Sequence, residues 1–223
     1  MKYTTCSHRY ADIIFEVDSE LKEQYHSVLR VLDGITDQDI IDEFLGANRD
    51  AKSISEAINN IIKIRMVGEK WEPESFIFAD PAYRKKTKRK KEKGLWRLDF
   101  AKENGISVEV AFNHRSDCSW NLIKPILASE LNHLEKAIQT KAGIIICATD
   151  EMKAAGGFDS AVGTFETYLT YLDPMRNILT APLLIIGLKA PETFKIQLRK
   201  LSPNKTVGDV LMLESGEIIK KHE

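Results

Sequence analysis

Cysteine is scarce in this chain, and the little it has does not pair. Cys6, Cys118 and Cys147 lie far apart with no CxxC spacing, which argues against a zinc site and against a disulfide framework. Reduced thiols and a cytoplasmic setting are expected. Long apolar runs are missing too, so no bilayer-spanning helix is foreseen. The first ten residues contain no apolar signal-peptide core. Net charge is only −1, so overall electrostatics select no partner. A Gly-rich phosphate loop, a Ser-His-Asp signature and an internal repeat are all absent, which removes several common enzyme classes.

What is present suits one globular domain: 223 residues, 43% hydrophobic and 29% charged. The charge that cancels overall is concentrated locally. Arg84, Lys85, Lys86, Lys88, Arg89, Lys90, Lys91 and Lys93 crowd into one short loop. Such a run can bind a polyanion, or can be a solvated loop or an import-like signal.

Immediately after it comes the most informative stretch, Leu95 to His114. Two apolar runs flank Asn104-Gly105, a dipeptide that favours a two-residue hairpin because both residues tolerate positive φ. Asp99 sits in the first run and Glu109 in the second, within Ile106 to Phe112. A carboxylate in an apolar strand is costly unless it is paired or bound to a cation. Two of them on adjoining strands suit a hard divalent metal; the plain alternative is a half-exposed hairpin with ordinary polar positions.

Elsewhere, Tyr10 to Val17 reads as a strand, and Asp18-Ser19 caps a helix over Glu20 to Leu32. Ile35 to Asn48 allows a short helix. Ser53 and Glu56 form a capping box for a helix ending at Gly68. Trp71 to Asp80 is an extended connection whose aromatics belong to the core. Trp120 to Gln139 predicts one long apolar helix with Pro125 in its first turn or so. Ala142–Ala148 and Pro182–Gly187 read as buried strands, and Thr164–Leu172 as a helix. The tail from 189 to 223 looks irregular, with an edge strand near Val207 to Leu213. The sum is an α/β fold, a mixed central β-sheet flanked by helices, with its core at about 71–188.

The segment Val108-Glu109-Val110-Ala111-Phe112, preceded by Asp99, resembles the active-site core of PD-(D/E)xK nucleases. Within them it is most similar to the BglII/BstYI group of type II restriction endonucleases, where an Asp precedes Glu-Val-Gln-Phe. The likeness extends over most of residues 7–188. It takes in Ser55-Glu56-Ala57, Gly68-Glu69-Lys70-Trp71, Ala79-Asp80-Pro81, Phe165-Glu166 and Ala181 to Gly187. The resemblance implies Mg²⁺ held by Asp99, Glu109 and the Val110 backbone carbonyl, with phosphodiester hydrolysis as the reaction. It also implies double-stranded DNA as substrate, a homodimer acting on a GATC-centred palindrome, and a cognate DNA methyltransferase as genetic partner. Glu74, three residues after Trp71, is similar to a further acidic or polar position in related enzymes.

The resemblance breaks at Ala111, where the family has Lys, Glu or Gln. A methyl group cannot orient water or touch phosphate. Lys102, Asn113 and His114 are the nearby groups that would have to stand in; otherwise catalysis is weak or lost. Base reading is expected from Asn113, His114, Arg115 and Ser116, and from Asp159 and Ser160 in a loop matching a base-contacting loop of the group. Arg84 to Lys91 would contact phosphates. Three rivals remain open: a DNA-binding protein of the same fold that does not cut, a structure-specific or repair nuclease, and an unrelated soluble α/β protein.

Overall fold

The computed structural model of the chain describes residues 1–47, 51–83, 96–130, 133–203 and 205–220. The basic run Arg84–Lys93 lies outside them. Six strands form the central sheet: β1 (Tyr3–His8), β2 (Glu72–Phe76), β3 (Arg97–Ala101), β4 (Gly105–Ala111), β5 (Thr140–Ala148) and β6 (Leu183–Leu188). Their order across the sheet is β1-β6-β5-β4-β3-β2. β4, β5 and β6 run parallel at its centre, and the outer strands pair antiparallel.

The parallel centre is apolar on both faces, as a sheet covered by helices must be. Ile144 and Ile146 of β5 join one core, which includes Ile58 and Ile62 of α4 (Ser55–Gly68) and Val28 and Leu32 of α2 (Ser19–Asp33). Ile145 and Cys147 alternate into a second core, with Leu122 and Ile126 of α5 (Cys118–Ser129) and Tyr168 of α7 (Phe165–Leu172). Asp18 caps α2 as expected, its carboxylate accepting from the Glu20 and Leu21 N–H groups; such a cap contributes about 1 kcal/mol. Trp71 is buried, and its indole N–H donates to Ser27 Oγ at 2.9 Å.

Several local expectations need correction. Tyr10 to Val17 is not a strand: Tyr10 turns the chain with φ of +58° and α1 spans Ala11–Val17. The strand lies just before it, as β1, with polar residues on its exposed positions. Ser53 does not cap α4, which begins at Ser55 with Ile54 in the cap position, while Ser53 Oγ bonds Ser55 Oγ at 2.8 Å. Trp71 to Asp80 is more than a connection, because it contributes the edge strand β2. α3 (Asp37–Ala47) fills the segment read as a short helix.

The long helix is cut short. α5 stops at Ser129, where Glu130 turns extended. Its open carbonyls are met from beyond the helix: Lys136 Nζ donates to Leu127 O, and Gln139 Nε2 donates to Ser129 O at 2.6 Å. Beyond this point the chain runs alongside 77–79, with Ala79 N–H bonded to Glu135 O and Ala137 N–H to Ile77 O. Leu134 and Ile138 thus join an apolar cluster with Phe78 and Leu98, not a helical stripe. Pro125 lies well inside α5, past the first turn.

Where it is described, the tail is regular, not irregular. β7 (Phe194–Ser202), β8 (Lys205–Met212) and β9 (Ile218–Ile219) make an antiparallel three-stranded sheet. Its Phe194, Ile196 and Val210 pack into the α2–α4 core. α6 (Asp150–Ala155) follows β5, capped by Thr149.

Candidate active site

The site grows out of the β3–β4 hairpin. Its turn spans Lys102 to Gly105, with the Gly105 N–H bonded to Lys102 O at 3.0 Å. Only Asn104 takes a positive φ, +54°. Gly105 has a different part: a Cβ there would come within 2.1 Å of the Gln24 amide and displace the oxygen that accepts the Ile106 N–H at 2.8 Å. The turn is therefore wider than the two-residue form expected for Asn-Gly.

From the turn the strands pair at Ala101↔Ser107 and Phe100↔Val108, and the ladder stops there. The next pair in register is Asp99 and Glu109. In place of a further ladder bond, Asp99 Oδ2 accepts the Val110 N–H at 2.8 Å. Glu74 falls between the paired positions Pro73↔Phe100 and Ser75↔Leu98, opposite Asp99, and takes φ of +57°. Its carboxylate pairs with Arg97 at 3.0 Å. Three carboxylates thus occupy one row across β2, β3 and β4. Asp99, Val110 and Glu74 border a cleft of about 220 Å³ that Asn59, Asn60 and Lys63 of α4 also line.

Glu109 is 2% exposed. Its Oε2 accepts from Lys124 Nζ of α5, and its Oε1 is buried with no hydrogen-bond partner among the described residues. Burial pushes its pKa up to about 8; the Lys124 ammonium opposes the rise and the Asp99 charge adds to it. Ala111, two residues on, shares this face of the strand and packs with Cys118, Leu122 and Ile126.

The groups proposed to stand in for position 111 are each engaged elsewhere. Lys102 Nζ donates to Glu69 O at 3.2 Å and lies over the Trp71 ring. Asn113 Oδ1 accepts from Asn121, which also donates to Tyr168 OH. His114 Nδ1 accepts the Ser116 N–H and bonds Ser116 Oγ.

The two expected reading loops do meet. Arg115 N–H bonds Ala161 O at 2.8 Å, Gly163 N–H bonds Asn113 O, and Arg115 Nη2 donates to Ser160 O. Asp159 Oδ1 accepts the Ala161 N–H. Asn113 to Ser116 are exposed beside Asp159 and Ser160, just past the end of β4.

Among the described residues no three His, Cys, Asp or Glu side chains converge on a metal position. The donors nonetheless suit a hard cation that keeps much of its water: Asp99 and Val110 border the cleft, and Glu109, next in register to Asp99 but outside the cleft lining, has one unpartnered oxygen. Lys124 and the α4 residues were missed in sequence. Lys124 carried a signal, being the one charged residue between Cys118 and Ser129.

Residues 3–188 match the family model described as restriction endonuclease BglII/BglIII. The chain belongs to the BglII/BglIII restriction endonuclease family. It is by that membership a type II site-specific endonuclease that acts on DNA. Among solved structures it is similar to restriction endonuclease BglII complexed with a DNA 16-mer, at 17% identity and a TM-score of 0.57, over 95% of this chain and 100% of that one. Free BglII is also similar, at 17% identity and a TM-score of 0.47, over 98% and 99% of the two chains. The mixed sheet is thus the BglII fold. No curated protein matches in sequence. Among the described residues no helix is long and apolar enough to cross a membrane.

Proposed function

We propose that this BglII/BglIII family member is a Mg²⁺-dependent enzyme that cuts double-stranded DNA as a homodimer at a GATC-centred palindrome. The observation that carries the metal reading is the buried Glu109 with one oxygen unpartnered, in register with Asp99 where the β3–β4 ladder opens. Asp99, Glu109 and the Val110 carbonyl would hold the ion. When bound, it polarises the scissile phosphate and lowers the pKa of the attacking water. The chain's own part is placement: the Val110 N–H fixes the Asp99 carboxylate, and α5 closes over Glu109 and keeps water from it. Glu74, across from Asp99, borders the same cleft.

Arg115, Asn113, Ser116 and His114, braced against Asp159 and Ser160, would present donors and acceptors to base edges. Arg84, Lys85, Lys86, Lys88, Arg89, Lys90 and Lys91 would add affinity through phosphates. Two-fold symmetry of a homodimer would match a palindrome. A cytoplasmic enzyme of this kind needs a DNA methyltransferase to protect the host.

Ala111 favours a second reading, a protein of the same fold that binds DNA and does not cut. Digestion of unmethylated phage DNA separates the two. Discrete fragments with Mg²⁺ and none with EDTA support the enzyme, and sequenced ends give the site. Products that track DNA structure instead of sequence would point to a repair-type nuclease. DNA shifted in a gel but never cut would leave the binding protein.

A further inference from the structure

We infer that Lys124 supplies, from helix α5, the cationic side chain that position 111 of the catalytic strand lacks. The inference rests on the nuclease reading of the Asp99–Glu109 site. Alternation along β4 turns Glu109 and Ala111 to the same face, the one α5 covers. Ala111 ends at its methyl. Lys124 reaches this face from across the layer, and its ammonium bonds Glu109 Oε2. A single group on the helix thus meets the carboxylate that stands two residues before position 111.

The chemistry of the pair argues against a merely structural ion pair. Lys124 is 9% exposed and Glu109 is 2% exposed. Its helix is otherwise uncharged and packs on Cys147, Ile145 and Phe165. Lysine is seldom buried to this degree, and in such a setting apolar residues of similar volume hold a fold as well as an ion pair does, or better. The pair also leaves Glu109 Oε1 unmet, although lysine has three donors. In the resting protein the ammonium competes with a divalent cation for Glu109. During cleavage it supplies positive charge where negative charge gathers on the phosphate.

Lys124→Met in the full chain tests this, with Mn²⁺ as the metal probe and no DNA in that assay. Three quantities are read: single-turnover cleavage of phage DNA with Mg²⁺, Mn²⁺ affinity by electron paramagnetic resonance, and the melting temperature. Loss of a charge that meets the phosphate should slow cleavage about a hundredfold or more, while Mn²⁺, titrated at about pH 8.5 so that the proton is the lesser competitor for Glu109, binds several-fold tighter because the ammonium is gone. Lys124→Gln keeps a donor for Glu109 without the charge; it should show the same two changes, and it decides the matter if Lys124→Met does not fold. Cleavage within a few-fold of wild type overturns the inference. So does slower cleavage accompanied by weaker Mn²⁺ binding, which would make Lys124 a prop for Glu109. A wild type that cuts no duplex sinks the nuclease reading and the Lys124 role with it. A wild type and a Lys124→Met that cut alike sink the inference alone.

Discussion

Two buried carboxylates in this protein, Glu109 and Asp209, are 2% exposed each, and each is bonded by a cationic side chain. Asp209 on β8 is met by Arg199 of β7 with two parallel bonds, Nε at 2.5 Å and Nη2 at 3.0 Å. Both its oxygens are used, and the planar fork fits the carboxylate. Glu109 on β4 is met by Lys124 at one oxygen, and the other has no hydrogen-bond partner among the described residues. Equal burial therefore supports two different purposes. Asp209 is closed, and it locks a hairpin. Glu109 is half-open, and a half-satisfied carboxylate beside a second one is what a cation needs.

The strongest way to break this comparison is at Asp99, the carboxylate next in register to Glu109. Asp99→Ala should cut cleavage about a thousandfold or more, by loss of a metal-holding carboxylate. The fold, followed by circular dichroism, should be kept.

The next test is pH. Glu109 is shifted up from 4.5 to about 8. A carboxyl shifted upward stabilises the folded state below its unfolded value, and that stability is lost as pH rises through the folded value. In EDTA, the melting temperature of wild type relative to Glu109→Gln should therefore fall steadily from about pH 4.5 to pH 8. A flat difference would mean that Glu109 is ionised throughout.

A smaller effect is expected from Asp209→Asn itself. It breaks one arm of a satisfied pair and should lower the melting temperature by several degrees, with cleavage per folded molecule unchanged. Smallest of all is Arg199→Lys, which turns the closed pair into one resembling Lys124–Glu109. It should cost about a degree or two of melting temperature and leave DNA cutting untouched. Either variant impairing cleavage would tie the C-terminal sheet to catalysis and dissolve the contrast.

The sequence revealed the acidic half of the site and hid the basic half. Asp99 and Glu109 stood out because a charge in an apolar strand is conspicuous over a short window, and the buried strands β5 and β6 stood out for the same local reason. Lys124 was less visible, because its meaning depends on α5 folding back over β4, a contact between residues fifteen positions apart. The length of α5 was misjudged because Leu134 and Ile138 keep helical spacing while serving a different apolar cluster. The bonding of Lys136 and Gln139 to its last carbonyls is something no periodicity displays. The C-terminal sheet was legible in part: Phe194-Lys195-Ile196-Gln197 alternates as a strand should, and its inward residues are buried. The prolines around it, Pro191 and Pro203, signal irregular backbone. β1, polar on its open edge, gave too little apolar alternation to be seen.

On the proposed mechanism the half-open carboxylate takes part in cleavage and the closed one does not. Mg²⁺-dependent cleavage of unmethylated phage DNA by wild type, Glu109→Gln and Asp209→Asn, normalised to folded protein, tests it most directly. Discrete fragments from wild type and Asp209→Asn, and none from Glu109→Gln, are the predicted result. Fragments from Glu109→Gln at the wild-type rate would contradict it.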